Sequence, residues 1–270
     1  MSDNNIGPAV IVGIDGSPAA IHAAVWAADE ACSREVPLRL LTALKQTHPS
    51  AEDYHRDVVH AETSLRAAKA TVEATGIPVK IETEILRGQP GMILLSESDE
   101  AEMICVGSAG IDRYSRALLG STATEVAEHA HCPVAVIRSQ PDQPAQPINW
   151  IVVALDDSPG RDLVVEQAMR EAQLRKLPVL AIGSDKTDGA ATAADELDNH
   201  VWPWKRWYPD VHIYPVTAHD GVADFLKSID DLVPLTVVGS TDAGQLAQIV
   251  GPYEHPVFHT AQSSVLIIRG

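Results

Sequence analysis

Apolar residues come in short runs of Val, Ile and Leu, near 9–14, 38–44, 79–85, 102–107 and 133–138. The runs are apolar at nearly every position rather than at alternate ones. That pattern predicts strands of a parallel sheet covered on both faces. The segments between them predict helices. Pro18 sits at a first helical turn after Ser17; Glu52 to Thr75 continues with Ala, Glu and Lys; Pro90 opens a third before Glu97-Ser98-Asp99-Glu100. A fourth follows Gly120-Ser121, where Thr122 to Glu128 combines Ser/Thr capping chemistry with acidic residues. Strand and helix alternate throughout, so the fold class is an open α/β sheet.

The pattern is written twice. Ala9-Val10-Ile11-Val12-Gly13-Ile14-Asp15-Gly16-Ser17-Pro18 returns 141 residues later as Trp150-Ile151-Val152-Val153-Ala154-Leu155-Asp156-Asp157-Ser158-Pro159. Ile104-Cys105-Val106-Gly107-Ser108 is answered by Thr236-Val237-Val238-Gly239-Ser240, and Val134 to Arg138 by Val265 to Arg269. Three prolines between Ser139 and Pro147 mark a semi-extended linker. The expected organisation is a first domain over 1–139, a linker over 140–148 and a second domain over 149–270. In the second copy residues 185–208 depart from the plan. Trp202-Pro203-Trp204-Lys205-Arg206-Trp207-Tyr208 stands there, and the expectation is an irregular segment anchored by packed tryptophans, with a ligand surface or a seam as the other reading.

Charge changes the picture of partners. The net charge is −17, divided as −8 before residue 140 and −9 after it, so neither half is a basic arm for nucleic acid or an anionic membrane. A phosphate ligand would have to be held by local dipoles. Three cysteines, Cys32, Cys105 and Cys132, form no disulfide framework and suit a reducing compartment. The first residues lack a basic region followed by an apolar stretch, and no later segment nears the roughly 18 apolar residues of a membrane span. The expected location is cytoplasmic.

The candidate chemistry lies at strand ends. Asp15 closes the first strand, where ligands of open α/β sheets bind beyond the carboxyl ends of the strands. Its carboxylate can accept from a ribose hydroxyl or an adenine amine, or it can cap the following helix, a role Ser17 is also placed to fill. Gly107 and Gly110 follow the fourth strand, and Gly120-Ser121 opens a helix. Glycines there let backbone N–H groups approach an anion, and the helix N-terminus favours negative charge. Neither a Gly-x-Gly-x-x-Gly turn nor a lysine-bearing phosphate loop is present. Arg113 and Arg116, in the spacer, would either reach phosphates or remain solvated. His129-Ala130-His131-Cys132 is a weak metal pattern without a partner cluster, and His48, His55 and His60 read as scattered surface histidines.

Together the spacing Gly107-x2-Gly110-x9-Gly120-Ser121 and the opening Val12-Gly13-Ile14-Asp15-Gly16-Ser17 resemble the universal stress protein family, in the tandem form of its mycobacterial members, over about 250 residues. The resemblance implies two five-stranded parallel sheets of order 3-2-1-4-5, of the adenine nucleotide alpha hydrolase-like type. It further implies ATP, with Mg²⁺ carried on the phosphates rather than on a metal site of the protein. Adenosine would lie near Asp15 and the backbone of Ala43, and the triphosphate on Gly107, Gly110, Gly120 and Ser121. Many members carry Ser or Thr where this chain has Ala123; Thr122 or Thr124 would replace that contact. The second copy carries Asp157 in place of the glycine, Asp242 at the second glycine position and Gly251-Pro252 in place of glycine-serine. A carboxylate and a residue without an N–H both oppose a phosphate there.

The function expected on these grounds is ATP-dependent regulation in a stress response, through conformation or an unidentified protein partner. The second half would supply an intramolecular dimer-like interface, and an exposed last strand near 264–269 could pair chains into a homodimer. A slow ATPase or nucleotide-alpha transferase, and a nucleotide-independent scaffold, are the alternatives.

Overall fold

The structure is a computed structural model that describes residues 7–110, 119–138, 149–156, 158–184, 190–218, 221–229, 232–250 and 263–269. It divides into two units, Met1–Ser139 and Gln140–Gly270. In the first, β1 (Val10–Gly13), β2 (Leu38–Leu44), β3 (Ile81–Arg87), β4 (Met103–Gly107) and β5 (Val134–Ile137) alternate with α1 (Pro18–Ser33), α2 (Ala51–Ala74), α3 (Pro90–Glu97) and α4 (Ser121–His129). The strands lie in the order β3-β2-β1-β4-β5, with every pairing parallel. Winding runs outward from β1 to β3, then crosses to β4 and continues to β5. Right-handed crossovers therefore put α1 and α2 on one face and α3 and α4 on the other, and the helices pack in those two pairs.

Local sequence explains the elements. Ser17 caps α1, its Oγ accepting from the Ala20 N–H at 3.2 Å, and Pro18 supplies a first residue that needs no donor. The buried face of α1 is almost all alanine: Ala19, Ala20, Ala23, Ala24, Ala27, Ala28 and Ala31. Side chains this short let the helix lie close on β1 and β4, whose own residues are the buried Val10, Ile11, Val12, Met103, Ile104 and Cys105. Ser50 caps α2 by accepting from the Asp53 N–H. Arg39, buried on β2, donates to Glu84 of β3 at 2.6 Å and to Glu97 of α3 at 2.8 Å. Burial pulls its pKa down, but the two carboxylates more than offset this and raise it.

The strand expected over 79–85 is observed at Ile81–Arg87. Pro78 has no N–H, and Val79 donates to the Ile77 carbonyl in a tight turn, so ladder pairing starts later.

The second unit repeats the topology. β6 (Asn149–Leu155), β7 (Val179–Ser184), β8 (Ile213–Ala218), β9 (Leu232–Gly239) and β10 (Ser264–Ile268) take the order β8-β7-β6-β9-β10, all parallel. Its helices are α5 (Arg161–Arg175), α6 (Ala190–Trp207), α7 (Val222–Ser228) and α8 (Leu246–Val250).

Over 190–207, α6 corrects the expectation of an irregular segment, while residues 185–189 lie outside the described residues. Leu197, Val201 and Trp204 are buried at helical spacing, and this stripe outweighs the backbone hydrogen bond lost at Pro203 within the helix. Only Trp204 is a packing anchor, edge-on to Trp207 and stacked with Tyr208; Trp202 and Trp207 are exposed. Among the described residues no helix is long and apolar enough to cross a membrane.

Candidate functional site

β1 delivers Asp15 into a turn whose next residue, Gly16, has φ +87°. That left-handed geometry disfavours a side chain, and a Cβ there would also meet Ser64 Oγ at 2.6 Å. The turn brings the Ser17 N–H onto Asp15 Oδ1 at 2.9 Å, while the Ser17 hydroxyl donates to the Ala109 carbonyl at 3.3 Å. Ser17 thus caps α1 and ties the end of β1 to the chain leaving β4. Asp15 is not the cap: Oδ1 braces the turn, and Oδ2 lies 2.9 Å from where a Cβ on Gly110 would stand. Only a glycine lets the backbone at 110 pass so near that oxygen.

Gly107 has a different reason to be glycine than the one expected. A Cβ there would stand 2.7 Å from the Ala19 carbonyl carbon and the Ala20 nitrogen, both backbone atoms of α1. Its immediate service is to let α1 seat against β4. Gly120 is the opposite case, since a Cβ there would have nothing nearer than 3.7 Å. Its N–H donates to the Ser108 carbonyl at 2.9 Å, which brings the chain back beside Gly110. Arg113 and Arg116, between these two points, lie outside the described residues.

Gly120 occupies the N-cap of α4, with extended backbone and no side-chain cap, and Ser121 is the first helical residue rather than the cap. The opening N–H groups of such a helix have no acceptor within it. Thr124 turns its hydroxyl onto the Gly120 carbonyl at 3.2 Å, so it is committed to the backbone; Thr122 lines the space in front of the helix together with the buried Ala123.

That space is a cavity of about 730 Å³, within the range of small-molecule sites. Asp15, Ala43, Gly107, Gly110, Gly120, Ser121 and Thr122 all line it. The topology brings them together, because β1 and β4 are neighbours from which the winding departs in opposite directions. Thr42 secures the β2 side by donating to the Ile14 carbonyl at 2.9 Å.

α2 closes a wall that sequence reasoning missed. Asp57, His60 and Ala61 line the cavity, with Lys45 from the end of β2. His60 Nε2 lies 3.3 Å from the Asp15 carbonyl, and His48 Nε2 lies 3.1 Å from Asp57 Oδ2 with its side chain 8% exposed. His48 is therefore not a scattered surface histidine; His60, although it lines the cavity, is exposed, as is His55. The signal was available: the buried stripe Ala61, Ser64, Leu65, Ala68 and Val72 of α2, extended one turn toward its N-terminus, reaches Asp57.

At the corresponding strand end of the second unit, the carboxylate is engaged by the protein itself. Asp156 Oδ1 accepts from the Ser158 N–H at 3.1 Å and the Ser158 hydroxyl at 2.6 Å, and Oδ2 accepts from the Thr241 hydroxyl at 2.8 Å. Burial alone would raise the Asp156 pKa, but the bonds from Ser158 and Thr241 outweigh it and hold the carboxyl below its ordinary range. Asp242 accepts from Gln245 within the short 3-10 turn Ser240–Gln245. Asp157, Gly251 and Pro252 lie outside the described residues. His131 meets Asp99 at 3.0 Å and His129 its own helix backbone; among the described residues no three His, Cys, Asp or Glu side chains are grouped to hold a metal ion.

Comparisons with known proteins point to one family. The Universal stress protein family model matches residues 8–138. The universal stress protein Rv2624c of Mycobacterium tuberculosis is 55% identical over 260 residues, 96% of each chain. Rv3134c of the same organism, also a universal stress protein, is 41% identical over 261 residues, 93% of this chain and 96% of that one. Among solved structures, a universal stress protein from Archaeoglobus fulgidus superimposes with a TM-score of 0.70 at 15% identity, over 97% of this chain and 96% of the other, a likeness of fold. With its sequence shared end to end with such relatives, this chain belongs to the universal stress protein family.

Proposed function

We propose that the first unit binds an adenine nucleotide, ATP with its Mg²⁺, and that occupancy regulates the protein's conformation or its affinity for a partner in a stress response. The observation that supports this is the single cavity in which Asp15 faces the Gly110 backbone while the uncapped start of α4 opens beside it. Phosphates would take the N–H groups of Gly110, Ser121 and Thr122, where the helix dipole favours negative charge. Asp15 Oδ2 would accept from ribose hydroxyls, and the backbone at Ala43 would meet the base. Magnesium would arrive on the phosphates and neutralise part of their charge. The second unit is read as a copy without nucleotide, since Thr241 already takes the free oxygen of Asp156.

Mass spectrometry of small molecules released from the purified protein, followed by calorimetric titration with ATP, tests the reading. One adenine nucleotide per chain is the expected result. A protein that purifies empty and shows neither heat nor thermal shift with ATP would overturn it in favour of a nucleotide-independent scaffold.

A further inference from the structure

The cavity has two ends. At one, α4 and the glycines meet Asp15, and His60 of α2 reaches the Asp15 carbonyl. One helical turn earlier on α2 stands Asp57, beside Lys45, where β2 has run out past Ala43 and Leu44. A nucleotide with its phosphates on the helix N-terminus, its ribose at Asp15 and its base at the Ala43 backbone would bring that base toward this second end, where β2 runs out.

Asp57 is held there chiefly by His48, which does not itself line the cavity. His48 Nε2 sits 3.1 Å from Asp57 Oδ2, and the Lys45 ammonium 3.9 Å from the same oxygen. The His48 ring is fixed edge-on against Tyr54 at 5.2 Å, and the Tyr54 hydroxyl accepts from Arg87 at 2.8 Å, with the guanidinium also over the ring. This chain of contacts immobilises one carboxylate oxygen. The other, Oδ1, has no protein partner among the described residues and belongs to a side chain on the cavity wall.

We propose that Asp57, positioned by His48, is a specificity residue whose Oδ1 accepts a hydrogen bond from the exocyclic amine of the bound base. The assignment rests on the nucleotide reading of the cavity and deepens it. With Oδ2 occupied, Asp57 offers a single acceptor, which suits the lone 6-amino group of adenine better than the paired N1–H and N2–H₂ donors of guanine. The choice of adenine then does not depend on backbone at Ala43 alone.

The test is a thermodynamic cycle between protein and ligand. ATP and purine riboside 5′-triphosphate, which lacks the 6-amino group, are titrated calorimetrically into wild type and Asp57→Ala, with thermal unfolding confirming that the variant is folded. In wild type the loss of the amine should weaken binding about tenfold, the scale of one hydrogen bond to a charged acceptor. Asp57→Ala should weaken ATP by a similar factor yet bind the two ligands equally, because the contact has already gone. Asp57→Asn, which keeps the side-chain shape with a neutral acceptor, should fall between and serves alone if the alanine variant unfolds. If wild type binds both ligands equally, or the variants keep the wild-type ratio, the role of Asp57 is refuted while the nucleotide site stands. If wild type binds neither, the nucleotide reading fails and this assignment with it.

Discussion

Replacing Gly107 and Gly120 separately by alanine pulls apart two jobs that glycines do at one site. At 107 the new methyl would stand 2.7 Å from two backbone atoms of α1 and 2.9 Å from the Ala19 Cβ. Backbone in a helix held by seven buried alanines cannot swing aside, so α1 must lift from β4. Overpacking of this kind costs about 1–3 kcal/mol. At roughly 4 °C per kcal/mol for a domain of this size, the first unit should melt ~4–12 °C lower. At 120 the methyl meets nothing nearer than the Ser108 carbonyl oxygen at 3.7 Å and the Gly110 nitrogen at 3.8 Å. Stability should therefore stay within about 0.5 kcal/mol of wild type. The same methyl stands in front of the Gly110 N–H and the start of α4, where a phosphate is proposed to lie. One displaced charge-assisted hydrogen bond corresponds to about 1.5–3 kcal/mol, so ATP affinity should fall roughly tenfold to a hundredfold. Differential scanning calorimetry and ATP titration on the same preparations decide the matter. A Gly107→Ala protein melting with wild type would refute the packing argument. A Gly120→Ala protein binding ATP as wild type does would remove the phosphate from the α4 terminus.

Asp15→Ala should lose most ATP binding while Asp156→Ala barely changes it; equal losses in calorimetric titration would mean that both units bind. Asp156→Asn should destabilise the second unit at neutral pH, because a carboxyl with a depressed folded pKa stabilises above its unfolded value of about 3.9. That advantage over the asparagine variant should vanish as pH falls through the lowered folded value, a trend readable from melting curves between pH 7 and 3; a gap independent of pH would exclude the charge as its source. Trp204→Ala should cost about 3–5 kcal/mol in chemical denaturation, since it empties a buried site, whereas Trp202→Ala, at an exposed position, should stay within about 0.5 kcal/mol.

Much of the architecture was legible because the information is local. Five apolar runs, a serine-proline helix start at Ser17-Pro18 and the 141-residue repeat each lie within a few contiguous residues or compare such stretches. From them follow the α/β class, the doubling and the place of Asp15 at a strand end. The irregular reading failed over 190–207 because Pro203 and the clustered tryptophans drew more weight than the spacing of Leu197, Val201 and Trp204, which is also local.

What the sequence alone determined is therefore the list of elements and the strand-end residues most suited to hold a phosphate. Tertiary structure decided what those residues face. Ser17 meets Ala109 across 92 residues and Thr241 meets Asp156 across 85, contacts that exist only because the strand order makes β1 and β4 neighbours, and β6 and β9 in the second unit. The same order turns Gly107 toward α1 rather than toward open space, and swings α2 over the end of β2 so that Asp57 and His60 become cavity walls. Hydrophobic periodicity specifies which face of an element is buried; it carries no information on which partner lies against that face, and that partner is what distinguishes Asp15, whose Oδ2 takes no hydrogen bond among the described residues, from Asp156, whose Oδ2 accepts from Thr241.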